Sequence, residues 1–73
     1  PIIHNEKIYN TIGNDLYCLD LKKGSTLWKA TDARTHLFNP KIFQDFVLVS
    51  GHGIINAYDI ASGQIVSSTE VPS

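Results

Sequence analysis

Cysteine is almost absent from this sequence, since Cys18 is the only one among 73 residues. An internal disulfide is therefore excluded, and the redox compartment stays open. A lone cysteine in a β-rich segment is typical of a small apolar residue buried in a strand. The alternative is a nucleophilic thiol, which needs a base and an orienting partner close in space. His52 could serve as that base, but nothing in the sequence places it beside Cys18.

Basic residues and long apolar runs are also scarce. Six lysines and arginines are scattered along the chain against seven acidic residues, which gives a formal net charge of −1. This pattern offers no basic footprint for nucleic acid and does not favour an anionic membrane surface. The longest apolar runs are a few residues, whereas a bilayer span needs about 20. We therefore expect no nucleic-acid partner and no membrane insertion.

Motifs that carry chemistry are missing as well. No Asn-x-Ser/Thr sequence occurs, and Gly51-His-Gly lacks the lysine and the helix of a phosphate-binding loop. The three histidines, His4, His36 and His52, are too far apart in the sequence to indicate a metal site. The sequence thus predicts no catalytic, cofactor-binding or metal-binding residue, which favours a protein that is not an enzyme.

An internal repeat dominates what is present. The stretch from Gly13 to Trp28 aligns without a gap with His52 to Ser67, at an offset of 39 residues. The same offset matches four identical pairs, which are Pro1 with Pro40, Ile3 with Ile42, Asp20 with Asp59 and Gly24 with Gly63. Periods of this length are typical of repeat architectures. The sequence predicts two units, residues 1–36 and 37–73.

Each unit resolves into four short segments rich in β-branched and aromatic residues. No window keeps the i, i+3, i+4, i+7 spacing of an amphipathic helix, so the sequence predicts an all-β chain. The predicted strands are Pro1–His4, Lys7–Ile12, Asp15–Leu21 and Ser25–Ala30 in the first unit, and Pro40–Phe43, Phe46–Ser50, Ile54–Ile60 and Gln64–Glu70 in the second.

The third turn of each unit runs from an aspartate to a glycine, Asp20 to Gly24 and Asp59 to Gly63. An aspartate that opens a turn can accept backbone N–H bonds, and the glycine can take the left-handed conformation. Metal binding is the alternative role for these aspartates, although turn geometry already explains the spacing.

Four antiparallel strands at a period near 40 residues are typical of a propeller blade. A blade has two apolar faces that neighbours must cover, and two blades leave two of these faces open. We therefore expect a portion of a larger β-propeller, with other blades of a longer chain or copies of this chain as partners.

The residues Leu-Tyr-Cys-Leu-Asp-Leu-Lys-Lys-Gly-Ser-Thr-Leu-Trp at 16–28 resemble the repeat of pyrroloquinoline-quinone (PQQ)-type propellers. Blades of that family carry Ala-Leu-Asp, three residues, Gly, three residues and Trp. Cys18 stands for the alanine here, and the pattern is matched by Leu19, Asp20, Gly24 and Trp28. The resemblance implies that Trp28 docks against the neighbouring blade and stacks near the glycine-bearing turn.

The second unit is similar to the same repeat through Ala57, Tyr58, Asp59 and Gly63, but Ser67 replaces the tryptophan. We therefore expect a weaker contact between the second blade and the blade that follows it. Gly51-His52 and Tyr58-Asp59 resemble the Gly-His and Trp-Asp dipeptides of a WD-type repeat. That family places most of a blade between the two dipeptides, whereas here they lie only a few residues apart, so a WD-type repeat is disfavoured.

The resemblance implies two functions. One is a non-catalytic scaffold for protein–protein interaction, similar to the propeller lipoprotein of the outer-membrane β-barrel assembly machinery, which would place the protein in the periplasm or cell envelope. The alternative is a fragment of a quinone-dependent dehydrogenase whose PQQ and Ca²⁺ site lies outside this segment. No cofactor is expected under the first hypothesis.

The scaffold hypothesis assigns partner binding to the loops between blades. The longest connection is Thr31 to Asn39, and the candidate interaction residues in it are Arg34, His36 and Phe38. Arg34 could pair with a partner carboxylate, and Leu37 or Phe38 could anchor in an apolar pocket. The alternative is that Arg34 and His36 are solvated and that Leu37 and Phe38 lead into the next blade.

Overall fold

The computed structural model describes residues 1–72 and contains eight strands in two four-stranded antiparallel sheets. In the first sheet the strands follow sequence order, β1 (Ile2–His4), β2 (Lys7–Ile12), β3 (Asp15–Asp20) and β4 (Thr26–Thr31). The second sheet repeats this order with β5 (Pro40–Phe43), β6 (Phe46–Ser50), β7 (Ile54–Asp59) and β8 (Ile65–Glu70). The all-β prediction is confirmed, and the boundary between residues 36 and 37 lies in the connection from β4 to β5.

Four strands end or begin a residue away from their predicted bounds because of the Asp-to-Gly turns. Strand β3 stops at Asp20 and not at Leu21, since the Asp20 carboxylate accepts the backbone N–H bonds of Lys22 and Lys23. The Asp20 amide donates to the Ser25 carbonyl at 2.8 Å, so Ser25 closes the turn and β4 begins at Thr26. The second sheet repeats the arrangement at Asp59 and Gln64.

Alternation along the strands divides each sheet into an inner and an outer face. Side chains from the inner faces of both sheets and Leu37 from the connection between the sheets form one buried cluster. The sheet residues in it are Tyr9, Leu16, Cys18, Val47, Val49 and Tyr58. The backbones approach most closely where β5 meets β1 and β2, and they diverge toward β4 and β8. This divergence leaves a gap at the outer edge, which the connection between the sheets and Trp28 partly fill.

None of the described residues forms a helix of the length and apolarity that crossing a bilayer requires.

Candidate functional site

The linker between the sheets, residues 32–39, is held by backbone hydrogen bonds to hairpin turns of both sheets. Its Leu37 amide donates to the Gly13 carbonyl at 2.8 Å, in the turn between β2 and β3. The next amide, that of Phe38, donates to the Ser50 carbonyl at 2.8 Å, at the end of β6. The linker is therefore fixed across one end of both sheets, and its side chains project from an ordered backbone.

Asp32 opens the linker and is only 7% exposed. Its Oδ1 accepts the Arg34 amide at 2.9 Å and the Arg34 Nε–H at 3.0 Å, and its Oδ2 accepts Arg34 Nη2 at 2.7 Å. The Arg34 guanidinium holds the pKa of this carboxyl well below its usual range, against the opposing effect of burial. Asp32 is therefore ionised at neutral pH, and paired charge offsets the cost of its burial.

The Asp32 carboxylate also joins the linker to the second sheet. Asn56 Nδ2 on β7 donates to Asp32 Oδ2 at 2.8 Å and to the Tyr58 hydroxyl oxygen at 3.0 Å. Arg34 Nη2 also donates to Ser68 Oγ on β8 at 3.0 Å. We call the set Asp32, Arg34, Asn56 and Tyr58 the polar cluster. It fixes the linker to β7 and β8 as the sheets diverge.

Asn56 contains an unsatisfied acceptor. Its side chain is fully buried, and Oδ1 has no hydrogen-bond partner among the described residues. Because an ionised carboxylate only accepts hydrogen bonds, the amide must turn its nitrogen toward Asp32. The oxygen is left unpaired by this orientation. Burial also raises the pKa of the Tyr58 hydroxyl, which keeps the cluster at a single negative and a single positive charge.

An open cavity of about 440 Å³ lies between the sheets beside this cluster. Small and polar residues at the end of β4 form one wall, and side chains of β7, β8 and their turn form the other. The lining residues are Ala30, Thr31, Asp32, Ala33, Arg34, Tyr58, Gly63 and Ile65. It is part of the outer-edge gap between the diverging sheets.

The three predicted interaction residues all lie in the linker but have different surroundings. Arg34 is 58% exposed along its side chain, yet its Nε and Nη2 are already bonded to Asp32 and Ser68. His36 is exposed. Phe38 is 43% exposed, and its ring meets His52 edge-on at 5.0 Å between centroids. The linker thus presents an exposed imidazole and an oriented guanidinium, and its Phe38 forms an aromatic pair with His52.

Sequence reasoning missed Asp32, Asn56 and Tyr58 as members of this site. The usable signal was Asp32 itself, an acid two residues before Arg34 in a connection that must turn. An Asp at such a position commonly accepts the amide two residues later. Nothing in the sequence separation of 24 residues between Asp32 and Asn56 indicates their contact.

The repeat motif residues build a separate contact between the sheets. The indole ring of Trp28 occupies the space that a Cβ at Gly63 would need, and Gly63 has a φ of +77°. Trp28 Nε1 donates to the Ile60 carbonyl at 3.1 Å. Around Gly24, the repeat counterpart of Gly63, no heavy atom lies within 4 Å of such a Cβ. Trp28 therefore lies on the glycine-bearing turn of the second sheet.

Cys18 is fully buried, and burial raises the pKa of its thiol. A buried thiol with a raised pKa is inert, whereas a nucleophilic cysteine needs a depressed pKa and access. His52 is exposed on the turn between β6 and β7. The structure therefore supports the apolar-residue interpretation of Cys18.

The acidic, histidine and cysteine side chains of residues 1–72 were compared for a shared metal site. No three His, Cys, Asp or Glu side chains in this part of the chain are clustered as ligands. Asp20 and Asp59 instead accept the amides of their own turns, which lowers the pKa of both carboxyls. The two aspartates are therefore engaged as turn residues.

No model of a known protein family matches the chain, and no curated protein matches it. Among solved structures, it is similar to a chain named "Europium-containing methanol dehydrogenase", with a TM-score of 0.80 and 30% sequence identity. The match covers 93% of this chain but only 14% of that one. The likeness supports the PQQ-like propeller fold. The two sheets are accordingly two blades of a portion of a larger β-propeller.

Proposed function

We propose that this chain is a non-catalytic propeller scaffold that presents its linker to a protein partner. The proposal rests on the backbone hydrogen bonds of the linker to both blades. These bonds hold its exposed side chains in fixed positions. A fixed backbone lowers the entropy lost on binding, so the exposed groups contribute more of their contact energy to affinity.

The linker offers chemically distinct groups to such a partner. Phe38 and His52 form a half-exposed aromatic pair that could insert into an apolar pocket. Arg34 keeps an exposed, oriented guanidinium, although Asp32 neutralises most of its charge. The partner surface that fits is therefore an apolar pocket with hydrogen-bond acceptors at its rim. Resemblance to the assembly-machinery lipoprotein suggests the periplasm or cell envelope as the location.

The second candidate is that these blades belong to a quinone-dependent dehydrogenase whose reaction site lies outside residues 1–73. It is favoured by the 30% identity to a methanol dehydrogenase. Under this hypothesis the chain supplies two structural blades and no cofactor ligand, with PQQ and Ca²⁺ held by other blades.

The scaffold proposal is tested by photo-crosslinking from a benzophenone side chain placed at His36. The matched control carries the same group at Lys23, an exposed position in the turn between β3 and β4, which leaves the linker unaltered. We expect a discrete protein adduct from position 36 that is lost in Phe38→Ala and absent from position 23. Equal labelling from both positions, or labelling indifferent to Phe38→Ala, would contradict the proposal.

The dehydrogenase candidate needs a different experiment. The complete natural protein that contains this sequence is incubated with PQQ and either Ca²⁺ or Eu³⁺, and dye-linked methanol oxidation is followed. A scaffold gives no oxidation above that of the unreconstituted protein. Cofactor-dependent oxidation would overturn the scaffold proposal and establish the second candidate.

A further inference from the structure

The cavity beside the polar cluster contains hydrogen-bond donors that the described residues do not use. Tyr58 and Arg34 both line it. The Tyr58 hydroxyl oxygen accepts a bond from Asn56 Nδ2 at 3.0 Å, and no described residue accepts its O–H. Arg34 donates through Nε and Nη2, and no described residue accepts a bond from its Nη1. Two donors are therefore left over around Asp32, which also lines the cavity.

Asp32 itself has no acceptor position to spare. A carboxylate has about four lone-pair positions. Oδ1 accepts the Arg34 amide and Arg34 Nε, and Oδ2 accepts Arg34 Nη2 and Asn56 Nδ2. The unpaired Asn56 Oδ1 belongs to a fully buried side chain that does not line the cavity. The polar cluster therefore offers a ligand donors only, and the complementary group is one that only accepts, such as a carbonyl oxygen.

The charges around the cavity favour a neutral ligand. Asp32 raises the pKa of the Arg34 guanidinium, and Glu70 at the end of β8 raises it further. Two carboxylates thus act on one guanidinium. A carboxylate or phosphate ligand would meet no excess of positive charge, so nothing would offset the cost of removing it from water. Tyr58 remains a donor at this position, because burial raises the pKa of its hydroxyl.

The rest of the lining is mostly small or apolar. Ala30 and Ala33 on one side, and Gly63 and Ile65 on the other, leave room for a hydrocarbon body between the sheets. The volume of about 440 Å³ lies within the range of about 300–1,000 Å³ that is typical of small-molecule sites. Both walls come from residues 30–65, so the cavity does not depend on what covers the outer faces of the two sheets.

We propose that this cavity binds a small neutral carbonyl compound with an apolar body, whose oxygen accepts hydrogen bonds from the Tyr58 hydroxyl and from Arg34 Nη1. The apolar body packs between the two sheets. This site goes beyond partner binding by the linker and does not rest on it, since Phe38 and His52 take no part.

The test follows the fluorine NMR signal of para-fluoroacetophenone as the complete natural protein that contains this sequence is added. Two analogues of similar shape isolate the chemistry, since para-fluoroethylbenzene lacks the oxygen and para-fluorobenzoate carries a negative charge. Ala33→Leu fills the cavity from an exposed position and leaves the side-chain bonds of the polar cluster in place. Tyr58→Phe removes one donor. Tyr17→Phe, the same change on the outer face of the first sheet, is its matched control.

We expect saturable line broadening with para-fluoroacetophenone, and binding of both analogues that is weaker by about tenfold or more. Ala33→Leu should abolish the broadening. Tyr58→Phe should weaken binding by about fivefold to tenfold, whereas Tyr17→Phe should leave it unaltered. Circular dichroism verifies that each variant is folded.

The proposal would be overturned if the ketone caused no broadening, or if the hydrocarbon or the benzoate bound as tightly as the ketone. Broadening that Ala33→Leu leaves unchanged, or binding that a folded Tyr58→Phe does not weaken, would overturn it as well. None of these results bears on crosslinking from position 36, so the two proposals fail independently.

Discussion

The contribution of the contact between Trp28 and Gly63 to stability can be measured by comparing Gly63→Ala with Gly24→Ala, the same substitution at the equivalent position of the first blade. Gly24 and Gly63 occupy equivalent turns with φ values of +71° and +77°, so alanine suffers a similar backbone strain at both. That strain is about 1–2 kcal/mol for a residue in the left-handed region. Only at Gly63 does the added methyl group collide with the indole ring of Trp28.

The collision should add the loss of the ring's contacts to the strain. A tryptophan buries about 150–250 Å² when it is fully covered, and Trp28 is half-buried, so about 100 Å² is involved. At about 25 cal/mol per Å² this area contributes about 2.5 kcal/mol. The hydrogen bond from Nε1 to the Ile60 carbonyl contributes about 1 kcal/mol more. Allowing for partial relaxation, Gly63→Ala should cost about 2–3 kcal/mol more than Gly24→Ala.

Urea unfolding followed by far-ultraviolet circular dichroism measures both free energies of unfolding, with Trp28→Leu as the background that removes the ring. In Trp28→Leu, the alanine at position 63 should cost about what the alanine at position 24 costs, because only strain is left. If Gly63→Ala and Gly24→Ala destabilise the natural chain equally, the indole does not stabilise the interface between the blades. The estimate of its contribution would then be refuted.

Three further predictions follow from the polar and titrating groups. Asp32→Asn should lower the free energy of unfolding by about 2 kcal/mol at pH 7, since charge-assisted bonds from Arg34 are lost. Because folding depresses the pKa of Asp32, this stabilisation is present above about pH 4 and is lost as the pH falls further. The urea midpoints of the natural chain and Asp32→Asn should therefore converge on acidification. Asp59→Ala should lower the urea midpoint at pH 7, because the Ser62 amide loses its acceptor, and the difference should likewise shrink below about pH 4. Cys18 should react with a disulfide reagent only as fast as the chain opens, and full-rate labelling under native conditions would contradict its burial.

The fold was predictable because its determinants are local and occur twice. Alternating β-branched residues, proline at a strand start and the Asp-to-Gly turns each act over a few residues, and the repeat supplies a second, independent instance of each. Strand ends were less accurate at the turns, where the Asp20 carboxylate takes the amides that a longer strand would have used.

The linker was also predictable as the longest connection, since its length and position follow from the spacing of the strands. What its side chains contact was not. Arg34 was predicted to face a partner carboxylate, and the structure pairs it with Asp32 in the same segment. The assignment of Arg34, His36 and Phe38 to partner binding stays a prediction, because it depends on a molecule that must be found by experiment.

The polar cluster shows why the repeat could not reveal the site. An internal repeat predicts what two blades share, and Asp32 and Asn56 have no matching residue at Val71 and Tyr17. The cluster belongs to the junction between the blades, which occurs once in the chain. The pair Asp32 and Asn56 is buried, and Asn56 Nδ2 donates to Asp32 Oδ2 at 2.8 Å, yet it leaves no periodic signal in the sequence. Specificity in a stack of similar blades must come from such unrepeated positions, because the repeated ones would allow any blade to follow any other.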